Sequence, residues 1–401
     1  MRSLLIGLLV LAVASTAWAE FTIVTVDSGG VGASTDLTLD TADRPFVCYY
    51  DETNGDLKLA VLLNGEWHLA TIDNAGDTGM YCSLYIDSGG APHIAYRDND
   101  EWDVRYAYFD AGAWQRQTLE SYGAVGVGIS MMPADDGLPR LSYIDDSDTA
   151  LVYLWFETDN YASYYVDGQS SVGGQATSLW VVSNDLSYIG YQDVTEGTIR
   201  LARGHAEVWD STVVDGGEAK VGTDSGLAVD NSGVLHLAYF DETNGRLKYA
   251  FGTYGTMSVE VVDESGWCGL PMDLALDAAG QPHVCYYDDA TESLRYAYRD
   301  DQRWHRFVLE SGGHAGQDCS LVVDGDGLVT IAYHDGDDGT LRVARGDSAG
   351  LDEFVGGDDD SDDDTGADDD LDDDADDDTA NPGFGGNAEE GSSESSAGCG
   401  N

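Results

Sequence analysis

Carboxylates dominate the chemistry this chain could do: 75 Asp and Glu stand against 18 Lys and Arg, a formal net charge of −57. Two carboxylates facing a glycosidic bond hydrolyse it, and an ordered alternation of them holds Ca²⁺. Here they are so numerous that spacing singles out no catalytic pair. No Ser/His/Asp set is defined by spacing either, and no Cys-x-x-Cys or Cys/His arrangement suits zinc. The histidines His93, His236 and His283 share one position of a repeat that elsewhere holds Phe46, Arg140, Tyr188 and Thr330, so they read as packing and no metal is expected. The one specific pattern is a Tyr, any residue and an Asp, seven times over.

The tyrosines are Tyr49, Tyr96, Tyr143, Tyr191, Tyr239, Tyr286 and Tyr333, each followed two residues on by Asp51, Asp98, Asp145, Asp193, Asp241, Asp288 and Asp335. The interval is 47 or 48 residues throughout. A period of that length built from strand-like pieces is a signature of propeller blades. Each repeat carries four short runs of β-branched and aromatic residues separated by turn clusters, as in Met272 to Asp277, Pro282 to Asp288, Leu294 to Arg299 and Trp304 to Glu310. The expected fold is all-β, a seven-bladed propeller of four-stranded blades. Repeat seven runs out after its third strand, while Phe21 to Asp27 aligns with the fourth strand of repeat six. The N-terminal strand should therefore complete the last blade and remove the exposed edges of an open array.

Seven residues after each Asp comes a base: Lys58, Arg105, Arg200, Lys248, Arg295 and Arg342. The pairs Asp51–Lys58, Asp98–Arg105, Asp193–Arg200, Asp241–Lys248, Asp288–Arg295 and Asp335–Arg342 are expected to face each other across the second hairpin as register-fixing ion pairs. Repeat three departs from this rule, with Val152 in place of the base, leaving Asp145 without a cation. A second recurring position opens strand four with Phe21, Trp67, Trp114, Tyr161, Trp209, Met257 and Trp304, read as plugs between blades. Cys48 and Cys82 are 34 residues apart, as are Cys285 and Cys319, which predicts two equivalent inter-blade disulfides. Cys268 and Cys399 are left without a partner.

Residues 1–19 read as a signal peptide: Arg2, the apolar run Leu4 to Ala14, and Ala17-Trp18-Ala19 before the expected cleavage. That run is too short to span a bilayer, and no other segment qualifies. Residues 20–351 form the expected propeller. Residues 352–401 hold 20 acids and no base, and should be a disordered, self-repelling spacer with at most loose Ca²⁺ binding and no cofactor. So negative a chain repels nucleic acid and anionic membranes, which excludes both as partners. No signal sets an oligomeric state.

The repeat Ser-Leu-x-x-Asp-x-x-Gly-x-Pro-His-x-x-Tyr-x-Asp, clearest from Ser83-Leu84 through Pro92-His93 to Tyr96 and Asp98, resembles the tandem-repeat β-propellers of secreted bacterial proteins. Some of these look similar to seven-bladed lectins, and the resemblance covers residues 21–346. It implies a binding module for a glycan or an extracellular protein. The alternatives are a polysaccharide hydrolase or lyase and a structural surface protein. Sialidase-type propellers are the enzymatic cousins, but their Ser-x-Asp-x-Gly-x-Thr-Trp box is missing. The tail is similar to the spacer ahead of C-terminal surface-sorting signals, with Cys399 where a processed Cys would lie, but it lacks the apolar helix and basic end of that pattern. A binding site is expected where the repeat is broken: Asp145 and Trp155 in blade three, Trp102 in blade two.

Overall fold

The computed structural model describes residues 21–157, 160–167, 172–347, 351 and 353–354. The expected signal segment 1–19, Cys399 and the tail beyond Phe354 lie outside the described residues. Twenty-eight strands among the described residues form seven four-stranded antiparallel sheets. The blades span residues 31–73, 78–120, 125–167, 172–215, 221–263, 268–311 and 315–346. The seventh is completed by the strand Thr22–Ser28, which pairs with Thr340–Gly346. No described helix is long and apolar enough to cross a membrane.

The apolar core lies between the blades. Each cluster joins residues of neighbouring sheets, such as Cys48 and Leu59 of blade one with Ile94 and Tyr96 of blade two. The repeat tyrosines are the anchors of these layers, each 0–1 % exposed. Close stacking explains a recurring glycine near the start of each first strand. A Cβ at Gly79 would lie 2.9 Å from Leu57 Cα, and one at Gly316 2.8 Å from Leu294 Cα, both at φ values only glycine adopts freely.

Two devices tie blade to blade. Cys48–Cys82 and Cys285–Cys319 are disulfides at equivalent positions. Where blades three and four meet, the same position carries Ser142 and Thr177, whose hydroxyls are 2.7 Å apart. Around the central channel, bulged first strands leave amides that the preceding blade satisfies. Leu84 N–H donates to Asp36 (2.6 Å), Met131 to Ser83 (3.0 Å), Leu179 to Ser130 (3.1 Å), Leu321 to Asp273 (2.8 Å) and Leu37 to Ser320 (3.1 Å). Cys268 is a buried free thiol whose sulfur lies 3.4 Å from the Asp263 carbonyl. Thr78 Oγ1 makes the same contact with Asp73 in blade two. Burial pushes the Cys268 thiol up to about 12, which makes it a packing residue rather than a nucleophile.

The channel acids give the fold a pH signature. Burial raises Asp36 to about 7, with Asp273 adding like-charge repulsion; burial also raises Asp224 to about 7 and Asp273 to about 6. The folded state therefore holds protons that the unfolded chain releases near pH 4, and the stability this confers is lost as pH rises through 6–7. Asp36 and Asp273 are only partly buried, so each is worth only about 1–2 kcal/mol. The melting temperature should be higher at pH 5 than at pH 8, and Asp36→Asn should flatten the difference. A wild-type melting temperature that climbs from pH 5 to pH 8 would contradict this.

Candidate functional site

The repeat Asp and its base do not face each other in the ladder. Lys58 stands opposite Tyr49 and Arg105 opposite Tyr96, while Asp51 pairs with Asp56. The Asp caps the hairpin turn: Asn54 N–H donates to Asp51 (3.0 Å) and Glu101 N–H to Asp98 (3.1 Å). It still reaches the base, at 3.7 Å for Lys58, 3.3 Å for Arg105, 3.9 Å for Lys248 and 3.0 Å for Arg342, and Arg295 also contacts Asp288. Arg200 contacts Asp167 at 3.7 Å, and its Nε donates to Tyr191.

The base's second acid is the feature that sequence reasoning missed. It ends strand four of the preceding blade: Asp27 for Lys58, Asp73 for Arg105 (3.1 Å), Asp167 for Arg200, Asp215 for Lys248, Asp263 for Arg295 (2.8 Å) and Glu310 for Arg342 (2.5 Å). The repeat Tyr donates to the same acid: Tyr49 to Asp27, Tyr96 to Asp73, Tyr239 to Asp215 and Tyr286 to Asp263 at 2.7–2.8 Å, with Tyr191 and Tyr333 bonded alike to Asp167 and Glu310. Five cages thus hold a cation among two carboxylates and a phenol, spanning adjacent blades; in the sixth, Arg200 meets Asp167 and Tyr191, and the expected ion pair with Asp193 is not formed. Burial pushes Asp27, Asp215 and Asp263 up, but hydrogen bonds, including those to Lys58, Lys248, Tyr49, Tyr239 and Tyr286, outweigh it and hold all three below the usual range. The only signal for this arrangement was the acid six residues after each strand-four aromatic.

The seventh position differs. Val152 stands opposite Tyr165, where other blades pair the base with Thr or Val. Glu120 accepts from the amides of Ser121 and Tyr122 instead of from Tyr143. A pocket of about 100 Å³ stands there, lined by Glu120, Tyr122, Tyr143, Asp145, Val152 and Tyr165 among others. Burial and the charge of Asp148 raise the Asp145 carboxyl.

The other end of the same blade interface carries a cleft of about 430 Å³. Between other blades the strand-four aromatic closes this space. Trp209 packs 4.9 Å from Tyr153, Trp304 5.1 Å from Tyr249 and Phe21 5.6 Å from Tyr296. Gly204 opposite Trp209 and Gly346 beside Phe21 make room for these rings. Blades one, two and six carry Leu62, Phe109 and Arg299 at that position, Phe109 packing on its own Trp114; in blade three it is Phe156, which packs instead 5.1 Å from Tyr106 of the neighbouring blade. Tyr161 then reaches the Thr118 carbonyl with its hydroxyl, 3.3 Å away. The cleft is left walled by Tyr106, Tyr108, Phe156 and Tyr161, with Gln117, Glu157 and Asn160 exposed at its rim. His93 at its base bonds the Tyr106 hydroxyl and lies 3.5 Å from Asp87, an Asp–His–Tyr chain repeated with His236 and His283.

The three residues nominated from sequence do not converge. Asp145 lines the smaller pocket. Trp155 points to the opposite face of blade three, its ring 4.4 Å from that of His205. Trp102 is half-exposed under the Arg97 guanidinium. Phe156 and Tyr165 went unnominated. Glu353 and Phe354, assigned to the tail from sequence, dock on blade six: Glu353 pairs with Arg303 at 2.7 Å and Phe354 lies under the Arg295 guanidinium. Among the described residues no group of three or more His, Cys, Asp or Glu could hold a metal ion.

The fold and its closure define a seven-bladed β-propeller. No family model and no curated protein matches the chain. Among solved structures it is similar to hydrazine synthase of Kuenenia stuttgartiensis, with a TM-score of 0.55 at 8 % identity over 80 % of this chain and 96 % of that one. It is also similar to a protein of unknown function from Dyadobacter fermentans, with a TM-score of 0.50 at 10 % identity over 82 % and 98 %. A fungal alcohol oxidase of the AA5 family in complex with copper gives 0.50 at 10 % identity over 82 % and 76 %. At such identities the likeness is one of fold alone.

Proposed function

We propose that this protein is an exported, non-catalytic propeller that binds a glycan in the cleft between blades two and three. The observation that carries this reading is the replacement of the blade plug by Phe156, which leaves aromatic walls beneath a polar rim. Sugar rings present C–H faces to aromatic rings and hydroxyls to amides and carboxylates, so such a cleft suits them. Export of the chain after loss of residues 1–19, with the tail after the docked Phe354 as a spacer from a surface, fits its two disulfides.

A glycan array read beside a turnover screen tests this. Binding without turnover is expected, and Phe156→Ala should weaken it about tenfold or more, equivalent to at least ~1.4 kcal/mol. Turnover of a bound polysaccharide would make the protein an enzyme and sink the non-catalytic reading. Silence across the array would leave a structural role.

A further inference from the structure

The five complete cages show what this architecture holds between two carboxylates and a repeat tyrosine: an ammonium or a guanidinium. In two of them the ammonium also lies over that tyrosine's ring, Lys58 Nζ at 5.5 Å from the Tyr49 centroid and Lys248 Nζ at 5.8 Å from that of Tyr239. The interface of blades two and three keeps both carboxylates, Glu120 and Asp145, and the tyrosine, Tyr143, and supplies no cation of its own. Tyr143 is 1 % exposed, yet its hydroxyl makes no hydrogen bond among the described residues, unlike its six counterparts. It lines the pocket. The second departure fits the first: where Val152 shortens the wall, Tyr165 replaces a Thr or Val opposite it, its hydroxyl donating to Asp148 (2.9 Å) and more weakly to Asp145 (3.4 Å), and, 50 % exposed, it lines the pocket beside Tyr122, 82 % exposed. Two exposed phenol rings and a third inside are the furnishing of an organic-cation site, since aromatic faces attract ammonium groups.

We propose that the pocket walled by Glu120, Asp145 and Tyr143 receives, from outside the protein, a primary ammonium carried on a flexible aliphatic chain, as in a lysine side chain. The ammonium takes the place that the bases occupy elsewhere, bridging the two carboxylates and donating to the unpartnered Tyr143 hydroxyl. The aliphatic stem passes between Tyr122 and Tyr165. The surplus negative charge of the chain draws such ligands in. The site uses none of the residues of the glycan cleft, so either can fail without the other.

Saturation-transfer NMR on the full chain tests this with Nα-acetyl-lysinamide, its neutral Nε-acetylated form and CaCl₂ as probes. Signal transfer to the charged lysinamide and none to the neutral form is expected. Val152→Lys should abolish it by supplying the cation from within, and should raise the melting temperature by completing the cage there. Tyr143→Phe keeps the shape and should weaken binding about tenfold, the equivalent of ~1.4 kcal/mol. Equal transfer to the neutral form, undiminished binding in Val152→Lys, displacement of lysinamide only by Ca²⁺ at matched ionic strength, or no transfer at all would overturn the proposal.

Discussion

Arg295→Ala is expected to destabilise the propeller by about 3–5 kcal/mol, the range for a buried ion pair that loses one partner. Arg295 is 5 % exposed and contacts Asp263 and Asp288, both 0 % exposed. Removing it leaves two carboxylates with their solvation already stripped, Asp288 with no cation and Asp263 with only Arg306, 3.6 Å away. At roughly 2.1 cal/mol/K per residue of unfolding entropy, the melting temperature of this ring should fall by about 4–7 °C. The loss should shrink in acid, because Asp263, held low in the wild type, would titrate at a higher pH in the variant. Adding Asp263→Asn and Asp288→Asn should recover much of the stability, since no charge is then stranded. Lys58→Ala should cost less, because Lys58 and Asp27 keep some contact with water. An Arg295→Ala chain that melts with the wild type would show that the cages do not clamp the blades.

Deleting Phe21–Ser28 should have the larger effect. Those residues supply the outer strand of the last blade, with six register pairs to Thr340–Gly346. They also carry Asp27, the acid of the Lys58 cage, and Phe21, which packs on Tyr296. At ~1 kcal/mol net per hydrogen bond the lost ladder alone is worth on the order of 5 kcal/mol, and the freed strand edge invites pairing between molecules. Aggregation of the truncated chain is the expected result in size-exclusion chromatography. A synthetic peptide of residues 21–28 added during refolding should restore soluble monomer. A truncated chain that stays monomeric and melts normally would contradict closure by this strand.

Much of this fold could be read from the sequence because a repeat reports its own geometry. The constant interval between Tyr-x-Asp motifs gives the blade, the missing fourth strand of repeat seven gives the closure, and the equal Cys spacings give the two disulfides. The cages were half legible. The base and the Asp lie seven residues apart on one hairpin, so spacing pairs them. The acid that completes the cage lies 31 residues before Lys58 on another blade, and blade twist and side-chain reach, which spacing does not report, bring it in. The break at Val152 was visible and led to Asp145. Its companion Tyr165 was not, because a Tyr in a strand signals nothing until it is seen opposite Val152. The role of Phe156 depends on its position, which is glycine in blades four, five and seven but Leu62, Phe109 and Arg299 elsewhere, and on which way Tyr161 turns once that space is filled.

The most direct measurement is a crystal structure of the chain bound to the strongest glycan ligand from the array. Sugar density stacked on Tyr108, Phe156 and Tyr161, with the other blade interfaces bare, is the predicted result. Density over an interface that keeps its plug, such as Trp304 on Tyr249, would show that the broken repeat does not mark the site.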